Sequence, residues 1–149
     1  MNTKLRALMA ICALLCCAAP CARAELSVTE TNRRVIECER MGNHSGAIAA
    51  FESIRNTGAR ENSGVYCTAY PAAALAYDAT GNSARAYAVL ETLRNLIARR
   101  VGYLQHSPAA MNATLAALAD LGPRFADDSC RSLCADMVAR AQHVRDAQQ

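Results

Sequence analysis

The chain has 149 residues, 52% of them hydrophobic and 19% charged, with a formal net charge of +3, eight cysteines, no Trp, two Phe and five Tyr. That length serves one hydrophobic core. The composition excludes a disordered tail or a nucleic-acid arm, which need fewer apolar residues and far more like charge.

The first segment explains the charge. Lys4, Arg6 and Arg23 fall within residues 1–24, which hold no acid, so thirteen Arg face thirteen Asp and Glu from Glu25 onward and the remainder is neutral. Residues 1–24 have the three parts of a secretory signal peptide: a basic start, an apolar stretch from Ala7 to Ala19, and the small-residue triplet Ala22-Arg23-Ala24. Cleavage is expected between Ala24 and Glu25, which makes 25–149 the working domain and the periplasm or the exterior its destination. The apolar stretch is well short of the ~20 residues that cross a bilayer, and no second long apolar run follows, so no membrane span is expected after cleavage. Lipid anchoring fits poorly, because Leu14-Leu15-Cys16 before Cys17 and Ala18-Ala19-Pro20 before Cys21 both depart from the Leu-small-small pattern of lipoproteins.

The elements that follow are helical. Ser27-Val28-Thr29-Glu30 has the capping-box form and opens a helix that stops at Gly42. Gly42-Asn43 turns into a second helix, on which Ala47, Phe51 and Ile54 recur at helical spacing. After the polar loop Thr57 to Gly64, Pro71 suits a first helical turn, and Ala73, Ala74, Leu75 and Tyr77 run to a stop at Gly81. Gly81-Asn82 opens a fourth helix through Ala86, Leu90 and Leu93 towards Tyr103. Ser107-Pro108 starts a fifth, with Met111, Leu115, Leu118 and Leu121 up to Gly122. After Gly122-Pro123, Ser129 is expected to cap a sixth, carrying Leu133, Met137 and Val144. No segment alternates with period two for long enough to suggest a sheet.

Two of these hairpins are copies. Residues 42–56 and 81–95, offset by 39, agree at seven of fifteen positions: Gly42/Gly81, Asn43/Asn82, Ala47/Ala86, Ala49/Ala88, Glu52/Glu91, Arg55/Arg94 and Asn56/Asn95. Neither helix of such a unit can bury its apolar face alone, so the units must stack. The fold class is therefore all-α, a short stack of antiparallel helical hairpins with about six helices. Units are expected at about 27–57 and 66–103, with a degenerate capping hairpin at 107–147.

Four cysteines remain after cleavage: Cys38, Cys67, Cys130 and Cys134. In an oxidising compartment they allow up to two disulfides with three connectivities. Cys130 and Cys134 stand on successive turns of one helix and would close only a tiny loop. If bridged, each is expected to reach Cys38 or Cys67 and so brace the C-terminal helix to the N-terminal half.

The residues of the duplicated unit resemble the tetratricopeptide repeat, whose pattern sets small and apolar residues on a first helix, Gly at the turn, and Ala with a large apolar residue four later on a second. The second unit is similar through Ala73-Ala74, Tyr77, Gly81, Ala86, Leu90 and Leu93. The first is similar through Ile36, Gly42, Ala47, Phe51 and Ile54, with Cys38 where Tyr77 stands in its copy. Trp and the closing Pro of the pattern are missing, and the period is 39 instead of 34. The resemblance implies a concave partner-binding groove lined by the first helix of each hairpin. By register, Asn32, Ile36, Glu39, Arg40, Leu75 and Asp78 would line it. A lysine clamp for a peptide carboxylate is excluded, since the chain from Glu25 onward has no lysine.

Catalytic and metal motifs are missing from the sequence. It has no phosphate-cradling Gly-rich loop, no Gly-x-Ser-x-Gly elbow and no His-Glu-x-x-His. Cys130-x-x-x-Cys134 has the wrong spacing for a thioredoxin-like site, and His44, His106 and His143 form no ligand pair. No enzyme activity, cofactor or metal is expected. The short leader and Ala/Arg-rich usage suggest a bacterial source. The leading expectation is an exported protein–protein interaction module, an adaptor or accessory factor of an envelope or secretion assembly, whose partner is another protein. The alternative is a periplasmic immunity or inhibitor protein that neutralises a toxin or enzyme.

Overall fold

The computed structural model describes residues 27–54, 66–99 and 107–146, without the side chains of residues 66, 67, 145 and 146. The leader and its cleavage point, the loop 57–64 and the extension towards Tyr103 lie outside the described residues. Within them the chain is all-helical: α1 (Val28–Arg40), α2 (His44–Ser53), α3 (Tyr66–Ala79), α4 (Ser83–Arg99), α5 (Pro108–Leu121), a 3-10 turn (Gly122–Arg124) and α6 (Asp128–Asp146). Among the described residues no helix is long and apolar enough to cross a membrane.

Local chemistry sets the helix ends. The Ser27 hydroxyl accepts from the Glu30 N–H while the Ser27 N–H donates to the Glu30 carboxylate, which closes the capping box of α1. Asn43 caps α2 by accepting from Gly46 N–H at 3.0 Å, and Asn82 makes the matching bond to Arg85 N–H at 3.2 Å. Ser107 caps α5, with Pro108 at its first position.

Two expectations at helix starts need correction. Asp127, not Ser129, caps α6, because its carboxylate accepts from the Cys130 N–H at 2.9 Å and the helix begins at Asp128. Pro71 is not in a first turn but inside α3. The helix begins five residues earlier, at Tyr66, and the Pro leaves the carbonyl four residues upstream without its helical donor.

The duplication extends to hydrogen bonds. Gly42 N–H donates to Glu39 O and Asn43 N–H to Cys38 O; Gly81 N–H donates to Asp78 O and Asn82 N–H to Tyr77 O, all within 2.8–2.9 Å. Gly42 and Gly81 adopt φ of 74° and 84°, the left-handed conformation that lets a helix stop and reverse without a Cβ penalty.

The hairpins α1–α2, α3–α4 and α5–α6 pack around α3, which touches α1, α2, α4 and α5; α6 lies against α4. Every residue of α3 from Ala69 to Asp78 is buried. A helix enclosed on so many sides needs small side chains, and Ala69, Ala72, Ala73, Ala74 and Ala76 supply them. Large groups fill the remaining spaces: Phe51 meets Tyr70 edge-on with ring centroids 5.2 Å apart, and Leu90, Leu93, Leu118 and Phe125 are almost wholly enclosed.

Candidate interaction surface

The six residues expected to line a groove separate into two groups. Asn32, Glu39, Leu75 and Asp78 are buried, whereas Ile36 is half-buried against the core and Arg40 is exposed. The two buried acids occupy equivalent positions of the duplicated units, and both hold the segment that follows α5. The Glu39 carboxylate takes the Arg124 guanidinium at 3.2 Å. Asp78 accepts from the Ala126 N–H at 2.6 Å, the Asp127 N–H at 3.4 Å and the Ser83 hydroxyl at 2.7 Å.

These contacts engage Glu39 and Asp78 within the fold. The segment 122–127 meets the C-terminal ends of the first helices at Glu39 and Asp78, with Phe125 only 1% exposed. Asp78 has its lone pairs engaged internally, and Leu75 is enclosed with the rest of α3. Asn32 is 1% exposed, and among the described residues neither side-chain amide atom has a hydrogen-bond partner. A polar group in that position costs about 1–3 kcal/mol.

Burial of carboxylates by register is not readable from the sequence. The available signal was their equivalence: an acid just before each Gly-Asn turn, Glu39 and Asp78, at the offset of the repeat.

The contact between the two copies is polar at its edge. The Tyr77 hydroxyl donates to Glu52, Arg85 pairs with the same carboxylate at 3.0 Å, and the guanidinium stands 5.7 Å from the centre of the Tyr77 ring. Burial and the Glu52 hydrogen bond push the Tyr77 phenol above its ordinary value, while Glu52 raises Arg85 further and keeps it charged. In the second copy the equivalent acid, Glu91, instead pairs along its own helix with Arg94 at 2.7 Å. Between α4 and α6 there remains an open cleft of about 420 Å³ lined by Tyr87, Arg94, Asp128, Ser129, Ser132, Leu133 and Asp136.

The cysteines do not form the expected brace among the described residues: Cys38, Cys130 and Cys134 are free thiols. The reason is direction. The Cys130 thiol points to the Ser83 carbonyl, 3.9 Å away, and the Cys134 side chain packs on Gly122. The side chain of Cys67 lies outside the described residues. Burial, then the Asp127 hydrogen bond, push Cys130 up to about 12, and burial alone pushes Cys134 up to about 11. Both are therefore protonated at neutral pH and poor nucleophiles.

Three exposed arginines lie together on the outer face of α1. Five arginines elsewhere, Arg85, Arg94, Arg124, Arg131 and Arg140, each reach a carboxylate. Arg33, Arg34 and Arg40 are exposed and make no ion pair among the described residues, and beside them Met41 is 77% exposed.

No family model matches the chain, and the comparisons with curated proteins and with solved structures give no match either.

Proposed function

We propose that the protein is an exported, non-catalytic protein–protein interaction module, an adaptor or accessory factor of an envelope or secretion assembly. The observation that carries this reading is the duplicated Gly-Asn hairpin, in which both copies share the same cap, the same turn hydrogen bonds and the same left-handed glycine. Repeated helical hairpins of the tetratricopeptide type stack into short solenoids whose use is to present a rigid surface. Export rests on the leader-like residues 1–24. An oxidising destination makes Cys38, Cys67, Cys130 and Cys134 the residues to examine for covalent bracing by a non-reducing peptide map.

A second reading, a periplasmic immunity or inhibitor protein, is favoured by one feature. The segment 122–127 is tied to Glu39 and Asp78 at the ends of α1 and α3, and a closed compact body suits a stoichiometric inhibitor better than an open peptide groove does. Affinity capture from the envelope fraction decides between the readings. A stable assembly component supports the adaptor, a toxin or hydrolase supports the inhibitor, and no reproducible partner defeats both.

A further inference from the structure

The exposed face of α1 has a composition that its own helix could have neutralised. At 3.6 residues per turn, Glu30, Arg33, Arg34, Glu37, Arg40 and Met41 fall within an arc of about 120°. Glu30 stands three and four residues before Arg33 and Arg34, and Glu37 is likewise within one turn of Arg33, Arg34 and Arg40, so the register permits intrahelical pairs. None closes among the described residues. Glu30 is committed to the Ser27 cap, which with a lesser pull from Arg33 holds its carboxyl below the usual range, and among the described residues none of the three guanidinium groups makes a side-chain hydrogen bond. In α4 and α6 the same spacings do close, as Arg94–Glu91, Arg131–Asp128 and Arg140–Asp136.

We propose that this face of α1 docks an acidic helical segment of a partner protein, with Arg33, Arg34 and Arg40 taking its carboxylates and Met41 its apolar flank. The proposal rests on the interaction-module reading and names the surface that such a module would use. Arg and Met are enriched at interfaces, and a guanidinium fork takes a carboxylate through two parallel hydrogen bonds. An anionic membrane is the weaker occupant. Glu30 and Glu37 interleave with the arginines and would be repelled, and the apolar side of α1, with Val35 wholly buried, is used up in the core. A protein segment can place a base at a fixed position opposite Glu37.

The test uses the chain from Glu25 onward, a variant with Arg33→Glu, Arg34→Glu and Arg40→Glu, and a control with Arg99→Glu, an exposed arginine at the end of α4 that also makes no ion pair among the described residues. The probe is a labelled synthetic helical peptide with glutamates at helical spacing, one lysine and one leucine, read by fluorescence anisotropy. Anionic phosphatidylglycerol–phosphatidylcholine vesicles are run in parallel.

The expected result is salt-sensitive peptide binding, weakened at least about tenfold in the triple variant and less than about twofold in the control, with both variants still folded by circular dichroism at the assay temperature. Equal binding by wild type and triple variant, or an equal loss in the control, overturns the proposal; so does binding to vesicles without binding to peptide. Envelope capture separates the two levels: a partner retained equally by the triple variant removes this face but keeps the module, whereas no partner with the wild type removes the module itself.

Discussion

The two copied hairpins and the closing hairpin reverse the chain by different means. In the copies, Gly42-Asn43 and Gly81-Asn82 hold their own turns: a left-handed glycine, two backbone hydrogen bonds and an asparagine cap all lie within a few residues. The closing hairpin has a local cap, with Asp127 accepting from the Cys130 N–H, and a Phe125 N–H to Gly122 O bond, but no left-handed glycine. Its 3-10 turn at Gly122–Arg124 and the stretch up to Asp127 are held from a distance by Glu39 and Asp78, across 85 and 48 residues of sequence. A turn built from local contacts can be copied as a cassette, whereas a bend held by tertiary contacts exists only once its neighbours are in place.

The largest effect that can break this comparison is at Asp78. Asp78→Ala leaves the Ala126 and Asp127 N–H groups and the Ser83 hydroxyl without their acceptor. It is expected to cost at least about 3 kcal/mol by urea denaturation, since hydrogen bonds to a charged group contribute about 1.5–3 kcal/mol each and two of these are short. Glu39→Ala is expected to cost less, about 1–2 kcal/mol, because the Arg124 side chain it holds is 53% exposed and can return to water. Equal losses at the two sites would show that the copies share the bend evenly.

Next is Gly122→Ala. The backbone there is helical, so strain is not the issue, but an added Cβ would stand 3.0 Å from the Cys134 Cβ. Overpacking of about 1–3 kcal/mol is expected, because neither backbone atom nor Cβ can swing away. A melting temperature matching wild type would mean that the bend and α6 can separate freely.

Gly42→Ala and Gly81→Ala sharpen the other half of the comparison. Nothing lies within 4 Å of a Cβ at either position, so the cost is conformational alone, about 1–2 kcal/mol at each. The two values should agree, and a clear difference would mean that the turns are less self-contained than their hydrogen bonds indicate.

The smallest effect is electrostatic. Hydrogen bonding to the Cys130 N–H, opposed by burial, holds the Asp127 carboxyl below its ordinary 3.8. A depressed carboxyl adds stability that is complete above the unfolded value and is lost as pH falls through the folded one. Asp127→Asn should therefore lower the neutral plateau slightly and flatten the acid limb, so that the wild-type and variant profiles converge below about pH 4. An unaltered acid limb in thermal melts from pH 3 to pH 5 would remove Asp127 as the cap.

The thiols carry the same lesson as the bend. Cys130 and Cys134 were legible as neighbours on one helix face, and they do share it, but their directions towards Ser83 and Gly122 depend on how α6 lies against α4 and the 3-10 turn. Of the expected groove, Arg40 alone stays fully exposed. Asn32, Glu39, Leu75 and Asp78 have the same local periodicity whether a groove is open or filled, so the sequence does not distinguish the two.

By itself the sequence determined the helices, the two Gly-Asn turns and the duplication, because capping, left-handed glycine and helical spacing act over a few residues. It also placed Arg33, Arg34 and Arg40 on one face of α1, since that follows from 3.6 residues per turn. Only the tertiary structure decided which acids are buried, which arginines are paired and what covers α3. Those depend on contacts between units tens of residues apart, where the fit of α5, the bend and α6 against the copied hairpins selects one arrangement from several with the same local pattern.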